Sequence, residues 1–178
     1  MRDLKKRAYA GVLSLILFFP GIIFEFLRDK LSGGTLISFY IFTVISFLTF
    51  AYFMWGFKII GDKTSNRLLS ISTILLLIIS LSIGLQDLFS SNIPETINFW
   101  VMIGAIILIG GLSIPFGIGL LKLKEQFGEL ATATGVLTII SGACGITVIL
   151  FFISLLLLFP LAILEIILLF KASDKLKI

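Results

Sequence analysis

The chain has no histidine and only one cysteine, Cys144, among its 178 residues. Without imidazole there is no bis-histidine haem, no histidine-ligated zinc or copper, and no catalytic triad built on a histidine base. With one thiol there is no intrachain disulfide. Charge is scarce too: Asp, Glu, Lys and Arg make up 13% of the chain, about half the share with which a soluble domain covers its surface. No Pro/Ser/Gly-rich linker, low-complexity tract or block of like charge divides the sequence, so a single domain over residues 1–178 is expected. No glycine-rich phosphate loop, HExxH, CxxC or GxSxG pattern occurs. No catalytic, cofactor-binding or metal-ligating residue is therefore assigned. An enzyme is not expected, because nucleophile and base have nowhere to sit.

What is abundant is apolar surface. The hydrophobic fraction is 58% and the mean hydropathy is +1.18, so the solvent for most side chains is lipid. The predicted fold class is all-α: a polytopic transmembrane helical bundle of six spans with both termini cytoplasmic. A helix needs roughly 20 apolar residues to cross a hydrocarbon core of about 30 Å, and spans are expected at about 8–27, 35–57, 68–88, 97–121, 130–147 and 150–170. The basic start followed by Ala8–Phe19 could pass for a signal peptide. It continues into Pro20 and Glu25 with no small-x-small cleavage site, so it is read as a retained first span.

The last two spans are the difficult ones, because no charge interrupts the stretch from Leu130 to Leu164. One straight helix there would reach about 60 Å, twice the core. Two spans with a tight turn are the alternative, and Gly142, Gly145 and Thr147 are the best residues for the break. Positive charge helps to decide. With six spans, twelve of the fourteen Lys and Arg fall on one side and only Arg28 and Lys30 on the other. Five spans would leave nine against five, so the positive-inside rule favours six. The same placement disposes of the formal net charge of +4 as a nucleic-acid signal. The basic residues flank apolar runs; the expected partner is the lipid bilayer of the cell membrane, and no nucleic acid.

Two internal matches stand out. At an offset of 61, Gly56, Lys63, Leu69, Thr73, Ile78-Ile79-Ser80 and Gly84 match Gly117, Lys124, Leu130, Thr134, Ile139-Ile140-Ser141 and Gly145. Each copy carries a small-xxx-small pair, Ser80/Gly84 and Ser141/Gly145, of the kind that lets backbones approach in lipid. The second match relates the first and last spans: Ser14-Leu15, Phe19-Pro20, Ile23 and Glu25 against Ser154-Leu155, Phe159-Pro160, Ile163 and Glu165. Either match is a duplication, or an alignment of Leu/Ile/Phe-rich segments by composition alone.

Pro20, Pro115 and Pro160 each fall inside a span. Such prolines either break a helix at a substrate or merely kink it. Glu25 and Glu165 are the acids within otherwise apolar runs, and a carboxylate there marks a pathway or an ion pair. Arg28 is one turn from Glu25; Glu165 lies deeper and is the better candidate. The eighteen phenylalanines either face lipid or line an aromatic pocket. The pattern Gly-x-x-x-apolar, a short basic-polar loop, then Leu-x-x-x-Thr-x-x-Leu-x-Ile-Ile-Ser spans residues 56–84 and returns at 117–145. It resembles small prokaryotic, often archaeal, multi-span membrane proteins of unknown function, and implies that architecture alone.

Two functions fit these residues. One is an accessory, scaffold or assembly subunit that acts by helix association, with a membrane-protein partner or as a homo-oligomer. The other is a small-solute carrier, a channel, or the membrane-embedded substrate-binding subunit of a transporter.

Overall fold

The computed structural model describes residues 2–27, 33–89, 94–147 and 150–176. These form seven helices, with no strand among the described residues: α1 (Arg2–Leu27), α2 (Gly34–Lys63), α3 (Arg67–Phe89), α4 (Glu95–Leu121), the single turn α5 (Lys124–Phe127), α6 (Glu129–Ile146) and α7 (Phe151–Lys175). Six of them, all but α5, are long and apolar enough to cross a membrane. The fold is an all-α, membrane-compatible bundle.

The long apolar stretch is broken into two helices, as length requires. The break does not fall at glycine. Gly142 and Gly145 lie inside α6, which runs to Ile146 and is capped at Thr147, whose Oγ1 donates to the Cys144 carbonyl at 2.9 Å. Those glycines serve packing instead. A Cβ on Gly110 would lie 2.8 Å from the Gly142 oxygen, and one on Gly117 would lie 2.8 Å from the Gly135 oxygen. Pairs 110/142 and 117/135 advance in opposite directions along their helices, so α4 and α6 are antiparallel with backbones almost touching, an approach that only glycine permits.

The helices close into a ring. Each long helix packs on its neighbours in chain order, α1 on α2, α2 on α3, α3 on α4, α4 on α6 and α6 on α7, and α7 returns to α1. The closing pair is antiparallel as well: Tyr9 meets Phe170 with ring centroids 5.1 Å apart, and Phe19 meets Phe159 at 5.8 Å. The start of α1 and the end of α7 therefore lie at one end of the bundle, together with the α2–α3 and α4–α6 connections. We call this the basic end.

The helices extend further at the basic end than the predicted spans. α1 starts at Arg2 because the basic stretch has partners in the bundle. Leu4 and Ala8 are buried, and the Arg7 guanidinium lies over the Tyr52 ring at 4.4 Å while bonding Asp3 at 3.3 Å. α2 continues past Phe57 to Lys63, with Lys58 paired one turn on to Asp62 at 2.6 Å. α7 continues to Lys175: Lys171 donates to the Phe127 carbonyl at 3.0 Å and Lys175 to that of Gln126. The core sits here too. Leu4, Phe57, Ile60, Leu69, Phe116, Leu120, Leu123, Phe127, Leu168 and Leu169 are all nearly inaccessible.

Candidate functional site: a cavity inside the ring

Above this core the ring is not filled. A cavity of about 430 Å³ lies within it, lined by residues of all six long helices, within the size range of small-molecule sites, roughly 300–1,000 Å³. Its floor is aromatic. Phe57 stands between Phe53 and Phe116, edge to face, with centroids 5.6 and 5.4 Å away. α2 and α4 are not neighbours in the ring, so the Phe57–Phe116 contact reaches across it and closes the basic end. Gly11 makes the fit possible: a Cβ there would lie 2.5 Å from the Phe53 ring and 2.8 Å from Ile166.

Most of the lining is apolar, including Phe18, Phe50, Phe53 and Phe116. The polar groups are Ser14 from α1, Ser80 from α3, Ser113 from α4, Thr138 and Ser141 from α6, and Ser154 and Glu165 from α7. Glu165 is the only ionisable residue among them. It is 9% exposed, and among the described residues its carboxyl has neither a hydrogen bond nor an ion pair. The nearest cation along its own helix, Lys171, is spent on the Phe127 carbonyl at the basic end.

Several hydroxyls are already committed. Ser113 donates to the Ile109 carbonyl at 2.8 Å and Thr138 to the Thr134 carbonyl at 2.7 Å. Ser141 and Ser154 share a hydrogen bond of 3.0 Å across the α6–α7 interface. A hydroxyl carries one hydrogen, so Ser113 and Thr138 can show the cavity only oxygen lone pairs.

The other sequence candidates are scattered. Ser80, Ser141 and Gly145 line the cavity with Glu165. Gly84 lies further along α3, with nothing within 4 Å of where its Cβ would go. Pro20, Pro115 and Pro160 are interior to α1, α4 and α7, which run through them without a break. Glu25 is in the last turn of α1; its side chain, and Arg28, lie outside the described residues.

The two sequence matches differ in what they share. Thr73 and Thr134, equivalent at the 61-residue offset, are both fully buried, and each donates to the carbonyl four residues back at 2.7 Å. Gly84 and Gly145, also equivalent, do not agree: one faces open space, the other sits against Gly110. In the second match, the equivalent residues Phe19 and Phe159 touch each other, and Ser14-Leu15 and Ser154-Leu155 all line the cavity.

Asn66 is a polar residue that sequence reasoning missed. Its Nδ2 donates to the Gly119 carbonyl at 2.7 Å while its Oδ1 accepts from the Leu69 N–H at 3.2 Å, tying the start of α3 to the end of α4. An Asn directly before an apolar run is an N-cap signal, and that signal was available at Ser65-Asn66-Arg67.

Comparison of the chain with protein-family models, curated proteins and solved structures finds no match.

Proposed function

We propose that the protein binds a small, largely apolar solute in the ring cavity within the membrane, as a carrier or as the membrane-embedded substrate-binding subunit of a transporter. The observation that carries this reading is Glu165: a carboxyl with no partner among the described residues, facing a cavity to which six helices contribute. A buried polar group without a partner costs free energy that a purely structural bundle has no reason to bear, and an intramembrane carboxyl is by default a functional group. The basic end belongs in the cytoplasm of a cell-membrane protein by the positive-inside rule, which puts the cavity on the outer side of the aromatic floor.

The test is a stability screen of the purified protein in detergent against a library of small solutes, with Ala162→Phe as the control that fills the cavity. Compounds that raise the unfolding temperature of the wild type should leave this variant unmoved. A library in which every stabilising compound acts equally on both proteins would remove the cavity from consideration.

A second reading, an accessory subunit acting by helix association, is favoured by a different observation. Gly104 and Gly111 on α4 have nothing within 4 Å of their Cβ positions. They lie seven residues apart, the spacing of Gly110 and Gly117. By helical periodicity they face away from the cavity-lining Ile106 and Ser113, on the side of the exposed Trp100 and Ile107. A partner helix could approach α4 there as closely as α6 does on its own side.

A further inference from the structure

We infer that the cavity takes a compact hydrophobic organic cation, a protonated amine with an apolar body, whose ammonium sits on the Glu165 carboxylate. This rests on the reading of the cavity as a solute site and adds to it the sign of the ligand.

The sign follows from what the walls can offer. Among the described residues no Lys, Arg, Asn, Gln, Tyr or Trp lines the cavity, and the chain has no His, so no cationic or amide donor in that lining meets an anion or a carbonyl-rich ligand. Ser113 and Thr138 have spent their hydrogens on backbone carbonyls and present only acceptors. The Ser141–Ser154 pair has one hydrogen occupied between its two oxygens. Glu165 adds two more acceptors when ionised. Ser14 and Ser80 make no hydrogen bond among the described residues and can donate or accept, so the sign is set by Glu165, the charged group of that lining, and an ammonium, with three donors and no acceptor, complements it. Phe18, Phe50, Phe53 and Phe116 complete the lining. Their ring faces attract a cation and their area suits an apolar body.

Among the described residues no cation pairs with the Glu165 carboxyl in this mostly apolar cavity. A cationic ligand supplies a counter-charge, and protonation of the carboxyl removes the charge that the ligand needs. Ligand and proton therefore compete for one group. Among the described residues no other titratable group lines the cavity: α1, α2, α3, α4 and α6 contribute none there, and Cys144, although next to Gly145, is not in the lining. Any pH dependence of binding below the titration of the amine itself falls to Glu165.

The experiment uses the full chain in lipid nanodiscs, with three probes that differ only in the polar head: phenylbutylamine, phenylbutanol and phenylbutyrate. Binding is measured by calorimetry to wild type, Glu165→Gln and Ala162→Phe. The wild type should bind the amine at least about tenfold more tightly than the alcohol, the advantage of a charge-assisted hydrogen bond over a neutral one, and the acid more weakly than either. Glu165→Gln should bring the amine down to the level of the alcohol. Lowering the pH should weaken the amine on wild type and leave the alcohol unchanged, a readout that needs no variant and so survives poor folding of Glu165→Gln. Equal affinities for amine and alcohol, both abolished by Ala162→Phe, would overturn the cation while leaving the solute site standing. Tighter binding of the acid, or no binding of any probe to wild type, would also overturn it.

Discussion

The two halves of the bundle are made of similar helices and are built differently. At the basic end, side chains from non-adjacent helices meet: Phe57 reaches Phe116, and Gly56 lies under Leu169 of α7, where a Cβ would come within 2.7 Å. Lysine and asparagine side chains there are spent on carbonyls at the ends of other helices. Towards the opposite end the six helices still touch their neighbours, but the middle is hollow, with a mostly apolar lining in which a few small hydroxyls and Glu165 are set. In lipid there is little hydrophobic drive to bring helices together, so association depends on close packing and satisfied polar groups. Concentrating the contacts that cross the ring at one end lets the other half keep a cavity. The tightest cross-ring contacts and the cavity thus lie in different parts of one ring.

The largest test of this division is at the α4–α6 seam, which spans both halves. In Gly117→Val a Cβ would lie 2.8 Å from the Gly135 oxygen and 3.1 Å from the Ile139 nitrogen. Ordinary overpacking costs about 1–3 kcal/mol because side chains can shift. Here the obstacle is backbone, so the helices must part, and a loss above about 3 kcal/mol is expected in unfolding measured in micelles. The comparable insertion Ser80→Val, into the cavity, should cost less than about 1 kcal/mol. If the two variants unfold alike, the halves do not differ as described.

A smaller effect is expected at Asn66. Removing its side chain leaves the Gly119 carbonyl and the Leu69 N–H without their partners, at a cost of about 1–3 kcal/mol. Asn66→Ala should therefore lower the denaturation midpoint. Asn66→Asp keeps an acceptor for Leu69 but sets a carboxylate oxygen against the Gly119 carbonyl in a buried place, so it should be no more stable than Ala. An Asp variant as stable as wild type would show that the tie between α3 and α4 contributes nothing.

How much of this was legible in the sequence depends on whether the signal was local. The six helices were, because twenty apolar residues in a row have few other uses. Glu165 was, because a lone carboxyl stands out in an apolar run. The serines around it were not: Ser14, Ser113 and Ser154 each look like ordinary small residues, and only ring closure brings them to one space. The helix ends at Arg2, Lys63 and Lys175 were read short, because charge was taken to mark the edge of lipid. Packing against neighbouring helices and carbonyl partners lets the backbone continue beyond it. The glycines of α4 and α6 were sought at a spacing of four. The α4–α6 contact repeats every seven residues, two turns of helix, so Gly110 and Gly117 do not form a small-xxx-small pair, while Gly84, which does with Ser80, has nothing within 4 Å of its Cβ position.

Gly104 and Gly111 give the smallest effect and the sharpest separation of the two functional readings. Both are helical, and both have room for a methyl group. In the isolated protein, replacing each by Ala should stabilise α4 by about 0.5–1 kcal/mol, since alanine loses less backbone freedom on entering a helix. A fall in the unfolding midpoint would mean that the outer face of α4 is already packed against something in this chain. In native membranes the same pair of substitutions has a second meaning. If a partner helix lies on that face at glycine distance, two methyl groups hold it off, and the partner should be lost on purification although the protein itself is more stable. If α4 faces only lipid, purification should be unchanged and the solute cavity is left as the sole reading. Because stability and association move in opposite directions in the first case, neither outcome can be mistaken for misfolding.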